Sequence, residues 1–166
     1  IKAENKLGVT VNGTWTLSGN NLSIWGFDFN GADAKLATSG DSIKVIRCKV
    51  RGIRTDATAS GGKIAVVPTG QDNWFMFCEW TDIDGRGASC DNSGAKPLRP
   101  LFYRCYFHDW KNPLSGSSGN GRECIQFGQS QAPDGSPNFY EMKGRALSCL
   151  FVDVYQSAPG AGERAH

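Results

Sequence analysis

Four cysteines occupy the same slot of a strand-like phrase that recurs along the chain, and this recurrence limits the fold more than any other feature. The copies are Val45-Ile46-Arg47-Cys48-Lys49-Val50-Arg51-Gly52-Ile53, Phe75-Met76-Phe77-Cys78-Glu79-Trp80-Thr81-Asp82-Ile83, Phe102-Tyr103-Arg104-Cys105-Tyr106-Phe107-His108-Asp109-Trp110 and Ala146-Leu147-Ser148-Cys149-Leu150-Phe151-Val152-Asp153-Val154. A fifth, Ile24-Trp25-Gly26-Phe27-Asp28-Phe29-Asn30-Gly31-Ala32, fits the frame with Phe27 in the cysteine slot. Two places on come Phe29, Val50, Trp80, Phe107 and Phe151; five places on come Ala32, Ile53, Ile83, Trp110 and Val154. These columns are apolar throughout. The intervening Asp28, Lys49, Glu79 and Tyr106, and Asn30, Arg51, Thr81 and His108, are mostly polar and are expected to face solvent, since strand side chains alternate.

The cysteine slots are 21, 30, 27 and 44 residues apart. A fixed strand register with unequal spacing is what a solenoid with variable loops produces: each circuit stacks on the last and insertions leave sideways. A β-sandwich with coincidental cysteines would not make three columns agree. The expected fold is all-β, a right-handed single-stranded parallel β-helix, with residues 1–166 as one segment of a larger β-helix domain, incomplete at both ends. Neither terminus reads as the polar cap a solenoid needs, and the opening Ile1-Lys2-Ala3 already reads as strand. Further strands are expected at Lys63-Ile64-Ala65-Val66-Val67 and Glu123-Cys124-Ile125-Gln126-Phe127, with excursions over 111–121 and 129–138.

Composition agrees. The 21 glycines and 7 prolines suit turns and weaken helix interiors, and no long segment has the spacing of an amphipathic helix. With 18 basic against 16 acidic residues the net charge is +2, so nucleic acid is not an expected partner. No apolar run reaches the roughly 18–20 residues of a membrane span.

Stacked cysteines carry parallel Cβ vectors, which disfavours a bridge, so Cys48, Cys78, Cys105 and Cys149 are read as buried free thiols. Cys90 and Cys124 are left unassigned, and zinc is not expected without a C-x-x-C pair. His108 and Asp109 are consecutive and are expected on opposite faces. Arg47, Lys49, Arg51 and Arg104 form either a basic strip able to hold an acidic polymer or an ordinary solvated face. Asn12-Gly13-Thr14 and Asn21-Leu22-Ser23 match the glycosylation sequon, which matters only in a eukaryotic secretory context.

The opening Ile1-Lys2-Ala3-Glu4-Asn5, the run Leu22-Ser23-Ile24-Trp25-Gly26-Phe27-Asp28-Phe29 and above all Asn120-Gly121-Arg122-Glu123-Cys124-Ile125-Gln126-Phe127-Gly128 resemble polysaccharide lyase family 6, the alginate lyase and chondroitinase B group. The resemblance implies β-elimination on a uronate-containing polysaccharide. There a calcium ion neutralises the uronate carboxylate, a lysine removes the C5 proton and an arginine assists the leaving oxygen. It implies Asn120 and Glu163 as calcium ligands; Arg104, His108, Arg122 and Gln126 are the candidate contacts to an acidic polysaccharide. The pattern breaks at Ala165, where the family has a second glutamate, and no lysine or arginine matches the family's base and acid. Catalysis by these residues alone is therefore not expected. The implied location is extracellular or periplasmic. Two other functions use the same scaffold: a virion tail spike or fibre, in a trimeric assembly and contacting host surface polysaccharide, and a non-catalytic carbohydrate-binding or adhesin solenoid.

Overall fold

The structure, a computed structural model, describes residues 1–2, 7–53, 64–90, 98–110, 124–127 and 144–152. After β1 (Val9–Val11), the chain runs through β2 (Thr14–Leu17), β3 (Ser23–Trp25) and β4 (Phe27–Asn30), then β5 (Lys35–Thr38), β6 (Lys44–Ile46) and β7 (Lys49–Arg51). It continues through β8 (Ile64–Pro68), β9 (Trp74–Met76) and β10 (Glu79–Thr81), and then β11 (Arg86–Ser89), β12 (Leu101–Tyr103) and β13 (Tyr106–His108). The last circuit is β14 (Ile125–Gln126), β15 (Arg145–Leu147) and β16 (Leu150–Val152). All are β, and every strand pairing among the described residues is parallel.

Three sheets result, and the chain visits them in one repeating order. Sheet C holds β2, β5, β8, β11 and β14; sheet A holds β3, β6, β9, β12 and β15; sheet B holds β1, β4, β7, β10, β13 and β16. The register places like on like: Phe29 against Val50, Val50 against Trp80, Trp80 against Phe107 and Phe107 against Phe151. The spacing of the cysteine phrase therefore predicts the register of sheet B. Its rings stack face to face, Trp80 on Phe107 at 4.7 Å and Phe107 on Phe151 at 4.9 Å. Phe75 stacks on Phe102 at 4.9 Å inside sheet A. Phe75, Trp80, Phe102 and Phe107 are fully buried, each worth about 1.5–3 kcal/mol, whereas Phe151 at the end of the row is exposed; short three-residue strands are held by these core rows.

The circuits turn at left-handed residues. Sheets A and B meet at Gly26, Arg47, Phe77, Arg104 and Ser148, all with φ between 50° and 79°. A non-glycine residue there costs roughly 1–2 kcal/mol. From Gly26 to Arg104 the cost is offset because each bend residue bonds to the next circuit, as in Arg47 N to Met76 O and Arg104 N to Leu147 O, both 3.0 Å. Sheets C and A meet differently, with a glycine ladder: a Cβ on Gly70 would collide with the Gly40 carbonyl, and one on Gly40 with the Gly19 carbonyl. Beside it the buried Asn73 accepts from Ile43 N at 2.9 Å and donates to Thr38 O at 2.9 Å, tying circuits together.

All six cysteines are free thiols, and Cys149, expected to be buried like Cys48, Cys78 and Cys105, is only partly so at the last strand of its column. Within the column each donates to a carbonyl of its own or the preceding circuit, as Cys105 does to Phe75 O at 3.3 Å. Burial first, then neighbouring Cys105 and Cys48, push the Cys78 thiol well up; the hydrogen bond with Cys78 is the chief cause lowering Cys48 and Cys105. Cys90 and Cys124 flank sheet C and are buried, and burial raises the Cys124 thiol to about 12.

Several sequence expectations need correction. Ala32 is exposed, and Ala34 takes the buried place instead, because the bend at Gly31 (φ 140°) shifts the alternation. Asp28 and Thr81, expected in solvent, are 4% and 7% exposed. The strand expected at 63–67 is Ile64–Pro68, and the one expected at 123–127 is Ile125–Gln126. Val154 and the excursions 111–121 and 129–138 lie outside the described residues. No helix among the described residues is long and apolar enough to cross a membrane.

Candidate functional site

Two outward faces carry the chemistry-bearing side chains. On sheet B, alternation exposes one side of β4, β7, β10 and β13, and its charges pair off across strands. Arg51 forks onto Asp28 with Nε and an η nitrogen, the latter at 2.7 Å. Lys49 Nζ lies 2.8 Å from Glu79 Oε1, and the same oxygen is 3.0 Å from His108 Nε2. His108 Nδ1 is 2.7 Å from Asp109 Oδ2, while the Thr81 hydroxyl lies 3.4 Å from both. The Tyr106 ring stacks on the imidazole at 4.0 Å.

The His108–Asp109 contact corrects the expectation that these neighbours point to opposite faces. Alternation holds only while the backbone stays extended, and Asp109 has φ 53°, which swings its carboxylate back toward the strand it ends. With both ring nitrogens against carboxylates, His108 acts in this arrangement as a clamp between β10 and β13. For Glu79, burial alone would raise the carboxyl, but hydrogen bonds from Lys49 and His108 outweigh it and hold it below the usual range.

Sheet A presents a different surface. Its outward rows are Ser23, Lys44, Trp74, Leu101 and Arg145, and Trp25, Ile46, Met76, Tyr103 and Leu147. Lys2 joins them through its bridge to Trp25, and the bend row Arg47, Phe77 and Arg104 borders them. There is no aspartate or glutamate in any of these rows. The cations lie over rings instead: Lys2 and Arg47 over Trp25 at 4.8 and 5.8 Å, Lys44 over Trp74 at 5.4 Å, Arg104 over Tyr103 at 5.3 Å. Trp74 is 36% and Phe77 44% exposed.

The basic strip read from the sequence is therefore divided. Lys49 and Arg51 are held by carboxylates on sheet B, whereas Arg47 and Arg104 are exposed at the bends. Gln126 belongs to sheet C, where its Oε1 accepts from Ser89 Oγ at 3.1 Å, so it does not share a surface with Arg104 or His108. Asn120, Arg122 and Glu163 lie outside the described residues. Among the described residues no group of three or more His, Cys, Asp or Glu is arranged to hold a metal. The sheet A rows were missed by sequence reasoning, although the signal was present: the residues one place either side of the inward Ile24, Val45, Phe75 and Phe102 are rich in Trp, Tyr, Met and Lys.

Searches against protein-family models, curated proteins and solved structures gave no match.

Proposed function

We propose that this chain forms a right-handed, single-stranded parallel β-helix whose surface binds an acidic, uronate-containing polysaccharide such as alginate. In a protein that also carries the lysine and arginine of the lyase family, the same scaffold would cleave that polymer by β-elimination. The right hand follows from general sterics, since parallel crossover connections take it in about 98% of cases. The carrying observation is the bend row, where Arg47 and Arg104 repeat along the stack with aromatic rings, and no carboxylate among the described residues, as their partners. Two cations on one row, two strand spacings or about 10 Å apart, suit a polymer whose negative charges also repeat. Calcium, with Asn120 and Glu163 as ligands, is carried by the family resemblance alone.

Affinity electrophoresis tests the binding. The protein should be retarded in gels cast with alginate and run freely in gels cast with a neutral dextran. Mobility in every uronate polymer equal to that in neutral dextran would remove this function. Ultraviolet absorbance of the unsaturated product, followed with and without a chelator, reports separately whether cleavage occurs; the 166 residues are expected to bind without cleaving.

A further inference from the structure

We infer that the outer face of sheet A is a saccharide-stacking platform, with the polymer lying along the stack axis across strands β3, β6, β9 and β12. This deepens the acidic-polysaccharide reading and rests on it. It also separates holding from cleaving, because the residues of the lyase-like stretch that the structure describes, Cys124 to Phe127, enter sheet C.

Aromatic rings supply the first part of the case. Trp25 and Tyr103 occupy one row, three strand spacings apart, which is about 14 Å along the axis. Trp74 and Phe77 flank that row on the circuit before Tyr103. A pyranose presents a flat face of C–H bonds that packs on an aromatic ring, and tryptophan and tyrosine offer large rigid area at little entropic cost. Residues this large and apolar are more often placed inward, as Phe75 and Phe102 are on the same strands.

Charge supplies the second part. Lys2, Lys44, Arg47, Arg104 and Arg145 stand on these rows or their bend, with no acidic residue in the same rows. Two copies of this face would bring like charges together, which disfavours self-association. The occupant is therefore anionic. An exposed cation–π contact is worth only about 0.5–1 kcal/mol, so Lys2, Lys44, Arg47 and Arg104 can each exchange a ring for a ligand carboxylate while the ring takes a sugar face. An acidic peptide would satisfy the charges and leave the rings without their stacking partner.

The experiment is a titration of the whole chain with defined alginate oligosaccharides and, separately, with polyglutamate. The double variant Trp25→Ala/Trp74→Ala should bind the oligosaccharide about tenfold or more weakly, as truncation of aromatic anchors does elsewhere. Trp74→Phe, which keeps a ring, should retain most of the affinity, and Trp74→Leu should not. Lys35→Gln, which removes one charge from sheet C, should leave binding unchanged. Circular dichroism and the thermal midpoint establish that each variant is folded. If the parent chain binds alginate and the double variant binds it equally well, the platform is wrong while the polysaccharide reading stands. If polyglutamate binds as tightly as the oligosaccharide and ignores the tryptophan changes, an acidic protein surface is the partner and the platform is again wrong. If the parent chain binds no uronate polymer, both fall together.

Discussion

The outer faces of sheets A and B are built from the same circuits, one bend residue apart, yet they use their cations in opposite ways. On sheet B, Lys49 and Arg51 are bound to Glu79 and Asp28, the His108 ring bridges Glu79 and Asp109, and the face is stitched across four strands. On sheet A, Lys44 and Arg47 rest on rings. A cation held by a carboxylate on its own sheet contributes to the fold and has little left for a ligand. A cation over a ring contributes little to the fold and remains available. Position around the circuit, rather than residue type, divides cations held by carboxylates from cations that rest on rings.

The largest test of that division is Arg51→Ala. It leaves the buried Asp28 carboxylate without its bidentate partner, and because Arg51 itself is 42% exposed the loss is about 2 kcal/mol. Urea unfolding should register the loss as a lower midpoint at unchanged slope. If Arg47→Ala destabilises as strongly, the comparison fails.

A smaller effect is expected at the histidine clamp. His108→Ala removes the link between Glu79 on β10 and Asp109 beyond β13, with a loss of about 1 kcal/mol. Loss of sugar binding without loss of stability would instead make His108 a ligand contact.

Acid titration gives a gentler test still. Glu79 is held below its unfolded value, near 4.3, so its contribution is present above that value and is lost as pH falls through the lower folded one. Stability of the parent chain should therefore decline more steeply below about pH 4 than that of Glu79→Gln. The difference should stay under about 1 kcal/mol, because the carboxylate is partly exposed. A steeper acid loss in the variant would reverse the sign and remove Glu79 from the stabilising network.

The smallest changes belong to sheet A. Arg47→Ala and Trp74→Ala should each alter stability by no more than about 0.5 kcal/mol, while both lower oligosaccharide affinity and only Arg47→Ala weakens its salt dependence. A large loss of stability from either would assign that residue to the fold.

Much of the core was legible because repetition fixes it. Cys48, Cys78 and Cys105 occupy one buried column, and the Phe29-to-Phe151 register follows from the phrase spacing, since a one-residue slip would turn a whole strand inside out. What misled was the assumption that alternation runs through the bends. Ala32 lies past Gly31 and Asp109 past His108, and each follows or occupies a left-handed position where the rule stops. Asp28 is also polar at a place that sequence assigns to solvent. Its burial became apparent only with Arg51 of the next strand laid over it.

By itself, then, the sequence determined which residues face inward and which circuits stack on which, because apolar side chains recurring at a fixed place in each circuit have one way to leave water together. Which outward charges meet across the rows was decided only in three dimensions. Arg51 reaches diagonally to Asp28, 23 residues away in the chain, and His108 to Glu79, 29 away, although the register sets neither pair side by side. The left-handed bends did the rest, turning one face toward its own carboxylates and leaving the next with rings and free charge.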